Sequence, residues 1–350
     1  MISGPAQNNL VGAISAVSRS GLDVDELRRR LLPRIRRAVP VDALWWAVAD
    51  PSTLLFNRAA REEIPAETGP YFIRNEFLED DVNKWTAVAH DAHGVRTLWD
   101  ATGGSPEVSA RYRDIFKPLG LGDELRAALR IDGECWGYMC LHREGPNGFS
   151  AAEARFVARI APHLAGGFRL ATLMATAHAV HDAAPGIVLL DEDGTLSATN
   201  PAAERWFDEL GAGPRRDEVP LEVLAVAARL HGDEGTEHRS PRLRVRTHTG
   251  RWAVLHASWL GDPTARQVAV IVEAATAADV LPVLLSAYGV TQQERRVTGF
   301  VCQGLATAEI ATRLYVTTNT VQDHLKSIFT KTGVRSRREL VALLQRQQYH

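Results

Sequence analysis

The chain is poor in sulfur: its 350 residues include three cysteines and three methionines. Cys135, Cys140 and Cys302 show no CxxC or Cys/His metal spacing, and an odd count argues against a disulfide framework. They are expected to be reduced and mostly buried, with no metal bound. No run approaches the roughly 18 consecutive apolar residues that a membrane span needs. Residues 1–21 have no basic start followed by a long apolar core, so neither anchor nor signal peptide is expected and the expected location is cytoplasmic. P-loop, Rossmann fingerprint, HExxH and nucleophile elbow are all missing, so no enzymatic role and no cofactor is expected. Asp50, Asp80, Asp81 and Asp191 do not form the clustered acidic pocket of a phosphorylated receiver. His178, His181 and His256 raise haem, but scattered histidines are more often surface or satisfied core residues. Residues 184–273 hold no cysteine for a flavin adduct.

What is present is ordinary globular composition, 45% hydrophobic and 23% charged, in a chain long enough for two to three domains. The net charge of −2 conceals an asymmetry. From Ser286 onward nine Lys or Arg face four Asp or Glu, and the rest of the chain carries 31 against 38. A basic end on an acidic body fits a nucleic-acid-binding module joined to something else.

Residues 290–342 can be read from punctuation. Thr291 with Glu294, and Ser336 with Glu339, have capping-box spacing, and Gly304 and Gly333 stand where helices should stop. Thr307 is expected to cap a helix that turns Ile310, Ala311 and Leu314 inward. Thr317 is expected to cap the next, with Val321, Leu325, Ile328 and Thr332 at helical spacing. Only Tyr315 and Val316 separate the pair, which makes a tight helix-turn-helix. Gln322, Asp323 and Lys326 then share the solvent face, with Thr317, Thr318, Thr320 and His324 around the helix start. A bidentate amide suits adenine, a carboxylate a cytosine amine, and an ammonium guanine O6 or N7. Hydroxyls and free N–H groups at a helix N-terminus suit phosphate.

This stretch resembles the LuxR-type (GerE-type) helix-turn-helix. The likeness is carried by Thr291, Glu294 and Arg295; Glu309-Ile310-Ala311 and Leu314; Thr320-Val321 and His324-Leu325; Lys331, Gly333-Val334, Ser336-Arg337 and Glu339-Leu340. The resemblance implies double-stranded DNA as partner, base contacts from Gln322, Asp323 and Lys326, and phosphate contacts from Thr317, Thr318, Thr320, His324 and Arg335 or Arg337. The family usually has lysine or arginine where Gln322 stands, so consensus half-site preferences are not assumed.

Upstream, Val24 to Val39 reads as a helix with Leu27, Leu31, Leu32 and Ile35 inward, a solvated arginine side from Arg28 to Arg37, and a kink or break at Pro33. Ala43–Val48 and Ser52–Asn57 read as paired strands. Asp123–Ile131 and Glu134–His142 flank Asp132-Gly133, a strong hairpin signal. Ser150 with Glu153 opens a long helix to about Thr176, whose stripe of Phe156, Val157, Ile160, Leu164, Phe168 and Leu170 is expected to form a dimer seam. This order, with GECWGYMCLHREGPNGFSAAEARFVARIAPHLAGGFR, resembles a GAF-type sensor. From Ala184, two strands, Asn200-Pro201 opening a helix, and strands at Arg242–Thr247, Trp252–Trp259 and Gln267–Val272 resemble a PAS domain.

The expected architecture is therefore multidomain α+β: a GAF-like sensor at 1–180, a PAS-like domain at 184–273, a helical connector at 274–288 and an all-α four-helix LuxR-type domain at 289–350. Trp45, Trp85, Trp99 and Trp136 are the candidate walls of a small-molecule effector pocket, weighed against a plain aromatic core. A homodimer is expected, with Leu340, Leu343 and Leu344 in its contact. In the alternative, the N-terminal domains dock a protein such as RNA polymerase.

Overall fold

The computed structural model describes residues 4–145, 148–174, 184–211, 219–232, 241–261 and 267–346. His178, His181 and the expected helix end at Thr176 lie outside them. Among the described residues no helix is long and apolar enough to cross a membrane.

The first unit opens with α1 (Gly4–Ser18) and α2 (Val24–Ala38). The carboxylate of Asp23 accepts from the N–H groups of Asp25 and Glu26 at 2.9 and 3.1 Å and fixes the start of α2. Contrary to expectation, α2 continues through Pro33, because Leu27, Leu31, Leu32 and Ile35 bury its apolar face on either side of that residue. Arg28 also departs from the solvated face: it is buried, donates to the carbonyls of Trp46 and Arg58, and is pushed down to about 10 by that burial.

Next come β1 (Ala43–Ala49), β2 (Phe56–Glu62), α3 (Gly69–Leu78), α4 (Trp85–His90), β3 (Val95–Thr97), α5 (Leu98–Ala101), β4 (Leu121–Ile131), β5 (Glu134–Glu144) and α6 (Ala151–Met174). The second strand starts at Phe56 rather than Ser52, because Asp50 accepts from the Ser52 N–H and hydroxyl and closes a turn there. Asp132 and Gly133 both have positive φ, 53° and 81°, the backbone that a two-residue hairpin requires. The antiparallel order is β2-β1-β5-β4-β3.

One face of this sheet packs on α1, α2 and α6. Phe156, Val157, Ile160, Leu164 and Phe168 are spent in that core, so the expected dimer stripe is an intramolecular one. The other face lies under α3 and α4.

The second unit contains β6 (Gly186–Leu190), β7 (Leu196–Thr199), α7 (Pro201–Leu210), α8 (Leu221–Gly232), β8 (Arg242–Arg246), β9 (Trp252–Leu260) and β10 (Gln267–Ala274). Its order, β7-β6-β10-β9-β8, repeats that of the first sheet. The two units share one core through α3 and α8. They are also joined by Asn57 Nδ2 donating to Arg244 O, Arg58 N–H donating to Glu222, and an Arg244–Asp50 ion pair at 3.1 Å.

A Thr276–Asp279 capping box starts α9 (Ala277–Ala287), which leads into α10 (Gln292–Cys302), α11 (Thr307–Leu314), α12 (Thr318–Thr332) and α13 (Arg337–Arg346). These last helices enclose a core of their own. Leu340 and Leu344 belong to it, so they are not open to a dimer partner as expected; Leu343 stays half-buried.

Candidate functional site

The geometry of the C-terminal unit turns on Glu294. It completes a capping box with Thr291, accepting from that residue's N–H at 2.7 Å. The same carboxylate accepts from Ser327 Oγ and Lys331 Nζ, both at 2.6 Å, and so ties α10 to α12. Burial alone would push Glu294 up, but the bonds from Lys331, Ser327 and Thr291 outweigh it and hold the carboxyl at about 2. The capping box was legible in the sequence, whereas the reach from α12 was not, because Ser327 and Lys331 are more than thirty residues away.

Helix α12 is thereby aimed outward. Val321, Leu325 and Ile328 are buried while Gln322, Asp323 and Lys326 are exposed on the opposite side. Thr317 caps the helix, accepting from the Thr320 N–H at 3.2 Å, and the two hydroxyls lie 2.9 Å apart. Thr318 and Arg335 are exposed, and His324 is half-buried. Lys326 and Asp323 form an exposed 3.7 Å pair with each other. Arg337 is turned inward: its guanidinium donates to Leu305 O and Thr307 Oγ1, both at 2.8 Å, so these donors serve the fold rather than phosphate. Thr307 is accordingly the first residue of α11 rather than its cap, and the Ala306 N–H is met by Glu309 instead.

The four candidate tryptophans do not converge. Trp45 and Trp85 stack at 5.8 Å, and Trp85 stacks on Tyr138 at 4.6 Å, on the sheet face under α3 and α4. Trp136 lies on the opposite face. Leu129 pairs with Gly137 but Arg130 pairs with Cys135, so Trp136 is the extra residue of a bulge, and the two-residue alternation that would place it beside Tyr138 fails there. Trp99 is 41% exposed at the sheet's edge. Neither lines a cavity with Trp45 or Trp85, and those two line separate cavities.

Sequence reading missed the polar floor of that face. Arg111 donates to Glu124 Oε2 at 2.7 Å, Arg126 to Glu76 Oε2 at 2.7 Å and to Glu124 Oε1 at 3.1 Å, and Arg111 Nη1 to Asn75 at 3.1 Å. Although burial opposes ionisation, Arg111 and Arg126 hold Glu124 well below the usual carboxylate range. Glu124, Cys140 and His142 present possible ligand atoms within 4.8 Å of one another. The carboxylate is already shared by two guanidiniums and the Cys140 thiol, and burial, with Glu124 beside it, pushes that thiol well up. Glu124 and Cys140 are thus bound into a hydrogen-bond network, whereas His142 Nδ1 stands beside it with no hydrogen-bond partner. Burial also pushes the His142 imidazole down, to about 4, against the pull of Glu124.

Residues 289–344 match the family described as bacterial regulatory proteins, luxR family. No curated protein matches the chain. Among solved structures, Escherichia coli SdiA aligns with 99% of each chain at 11% identity and a TM-score of 0.34. The ligand-binding domain of VqsR from Pseudomonas aeruginosa covers 49% of this chain and 99% of its own at 18% identity and 0.31. The Vibrio cholera VqmA–ligand–DNA complex covers 47% and 83% at 15% identity and 0.24. Scores this low do not establish a shared fold.

Proposed function

Because residues 289–344 form a LuxR-type helix-turn-helix domain, we propose that the protein is a one-component transcription regulator that binds double-stranded DNA as a homodimer, with binding controlled by a signal received in the two N-terminal units. The observation that carries this reading is α12: an outer face of Gln322, Asp323 and Lys326 on a helix anchored from behind by Glu294. Two such helices would read an inverted repeat, since twofold proteins match twofold sites. The N-terminal units take the roles of a GAF-like and a PAS-like sensor, a reading supported by two five-stranded antiparallel sheets of the same order. A signal would be passed on by changing the angle of α6 and α9, which pack together.

The experiment is fluorescence anisotropy on a selected operator and on random DNA across a salt series. Lys326→Ala is expected to cost about 1–3 kcal/mol on the operator and to relax preference at one base position. Arg335→Ala should weaken all DNA alike and reduce the salt slope by about one. Equal losses for Lys326→Ala on both DNAs would remove its base-reading assignment.

A second reading, protein docking, draws on Ile187 and Ile271, which are paired across β6 and β10 and stand exposed on the outer face of the second sheet. Under it, Ile187→Asp would abolish transcriptional output with purified RNA polymerase while operator affinity stayed unchanged. Loss of operator affinity in that variant would count against it.

A further inference from the structure

Arg246, on β8, is a buried cation without a counter-charge. It is 7% exposed, and among the described residues no carboxylate comes within ion-pair distance of it. Its Nη1 donates to Thr172 O at a long 3.4 Å and its guanidinium carbon lies 5.7 Å from the Trp252 ring centre, while Nε and Nη2 have no hydrogen-bond partner. Those two nitrogens form one edge of the guanidinium, the kind of edge that takes a carboxylate through two parallel hydrogen bonds. Burial, and then Arg58, push the group down to about 10, so it is still charged at neutral pH. A buried charge left unpaired is strongly destabilising. Arg251 leaves the same edge unpaired, but Glu209 meets its charge at 2.6 Å; Arg246 has no such relief.

Arg246 lines a cavity of about 40 Å³ where the two N-terminal units meet, together with Val48, Arg58, Thr172, Trp252 and Val283. Trp136 lines it too, and its indole Nε1 is likewise without a partner. One water needs about 10–15 Å³ of such space, so the cavity takes an ion of about three or four heavy atoms and no aromatic ring. Charge selects further. Arg58, Arg244 and Arg246 line it against Asp23 and Asp50, a surplus of one positive charge. The others are engaged: Arg244 pairs with Asp50, Asp23 caps α2, and Arg58 shares Asp25 with Arg28. Glu222 accepts from the Arg58 N–H, and burial pushes its carboxyl up, toward the neutral form. Nε and Nη2 of Arg246 are covered by neighbouring atoms, so the guanidinium must turn to meet an occupant, giving up its long bond to Thr172 O.

We propose that this cavity binds a small carboxylate anion, of the size of acetate, as the counter-ion of Arg246. A single negative charge matches the surplus, and a planar pair of oxygens matches the unpaired edge. The site lies on the side of the first sheet away from α3 and α4, and it rests on neither DNA binding nor sensing. Its occupant would join β8 of the second unit to α6 and α9, which also wall the cavity.

The test is scanning calorimetry of the full-length protein as sodium acetate replaces sodium benzoate at constant ionic strength, benzoate carrying the same carboxylate on a ring too large for the cavity. The melting of the N-terminal units is expected to rise saturably, by about 2 °C where acetate stands about tenfold above its dissociation constant. Acetamide, neutral and of the same shape, should leave it where it is. Arg246→Met, which removes the charge and keeps much of the length, is expected to show no saturable response. Arg246→Lys keeps the charge without the planar fork and should need about tenfold more acetate, and it carries the test if the methionine variant does not fold. No saturable rise in the wild type, the same rise in Arg246→Met, an equal rise with acetamide, or an unchanged acetate requirement in Arg246→Lys each overturns the proposal.

Discussion

Glu294 and His142 both hold protonation states that the unfolded chain would not, and they set two acid limits. Unfolded, His142 would take a proton near its ordinary 6.5, while the folded imidazole resists until about 4. Its neutral state therefore supports folding fully above pH 6.5, and that support is lost as pH falls from 6.5 through 4. Glu294 is held at about 2 against an ordinary 4.5, so its contribution is complete above pH 4.5 and lost as pH falls from there through 2. In an acid titration followed by near-ultraviolet circular dichroism, the N-terminal units should weaken first and the C-terminal helix-turn-helix domain later. His142→Phe is expected to erase the upper window; an unchanged profile in that variant would reject the assignment. Glu294→Gln should cost about 2–3 kcal/mol in the unfolding of the C-terminal domain, since it leaves the Lys331 ammonium without its carboxylate. Chemical denaturation of the full chain measures this, and a loss below about 0.5 kcal/mol would mean that the tie between α10 and α12 contributes little.

At the scale of elements, local grammar was legible where it acts locally. Thr291, Thr317, Ser150, Gly304, Gly333 and the Asp132-Gly133 turn all work within a few residues of themselves, and each stands where its chemistry requires. What escaped the sequence depends on distant partners. The bulge at Trp136 is set by pairing with β4, the inward turn of Arg337 by α11, and the burial of the α6 stripe by α1 and the sheet. The candidate DNA face was therefore almost wholly readable, and the candidate ligand walls only by half. Pro33 provides a test of a helix that runs through a proline, as α6 also does at Pro162 and α9 at Pro282. It is exposed, so Pro33→Ala loses no packing and restores a backbone donor in mid-helix; a gain of about 1–3 kcal/mol in unfolding free energy is expected. A destabilised variant would show that the proline is required where it stands.

For the whole molecule, the distribution of cores predicts how it comes apart. The first and second units share one apolar cluster, from Trp45 to Val272, while α10 to α13 enclose another. Scanning calorimetry of the full chain should show two transitions rather than three, with both N-terminal units melting together. Three separate endotherms would contradict the shared core. The Arg295–Glu134 ion pair joins α10 to the β4–β5 hairpin, so Glu134→Ala is expected to lower the melting temperature of the DNA-binding domain in the full chain by only a degree or so, about what a partly exposed pair supplies. The stack of Trp45, Trp85 and Tyr138 has one more consequence, an optical one. Rings that close couple their electronic transitions, and the tilts of 25° between Trp45 and Trp85 and 30° between Trp85 and Tyr138 keep them skewed, so the stack should contribute a paired positive and negative band to the circular dichroism of the resting protein. Any change that tilts one ring against the other would alter that signature, so the chain carries its own label-free reporter of packing on this sheet face.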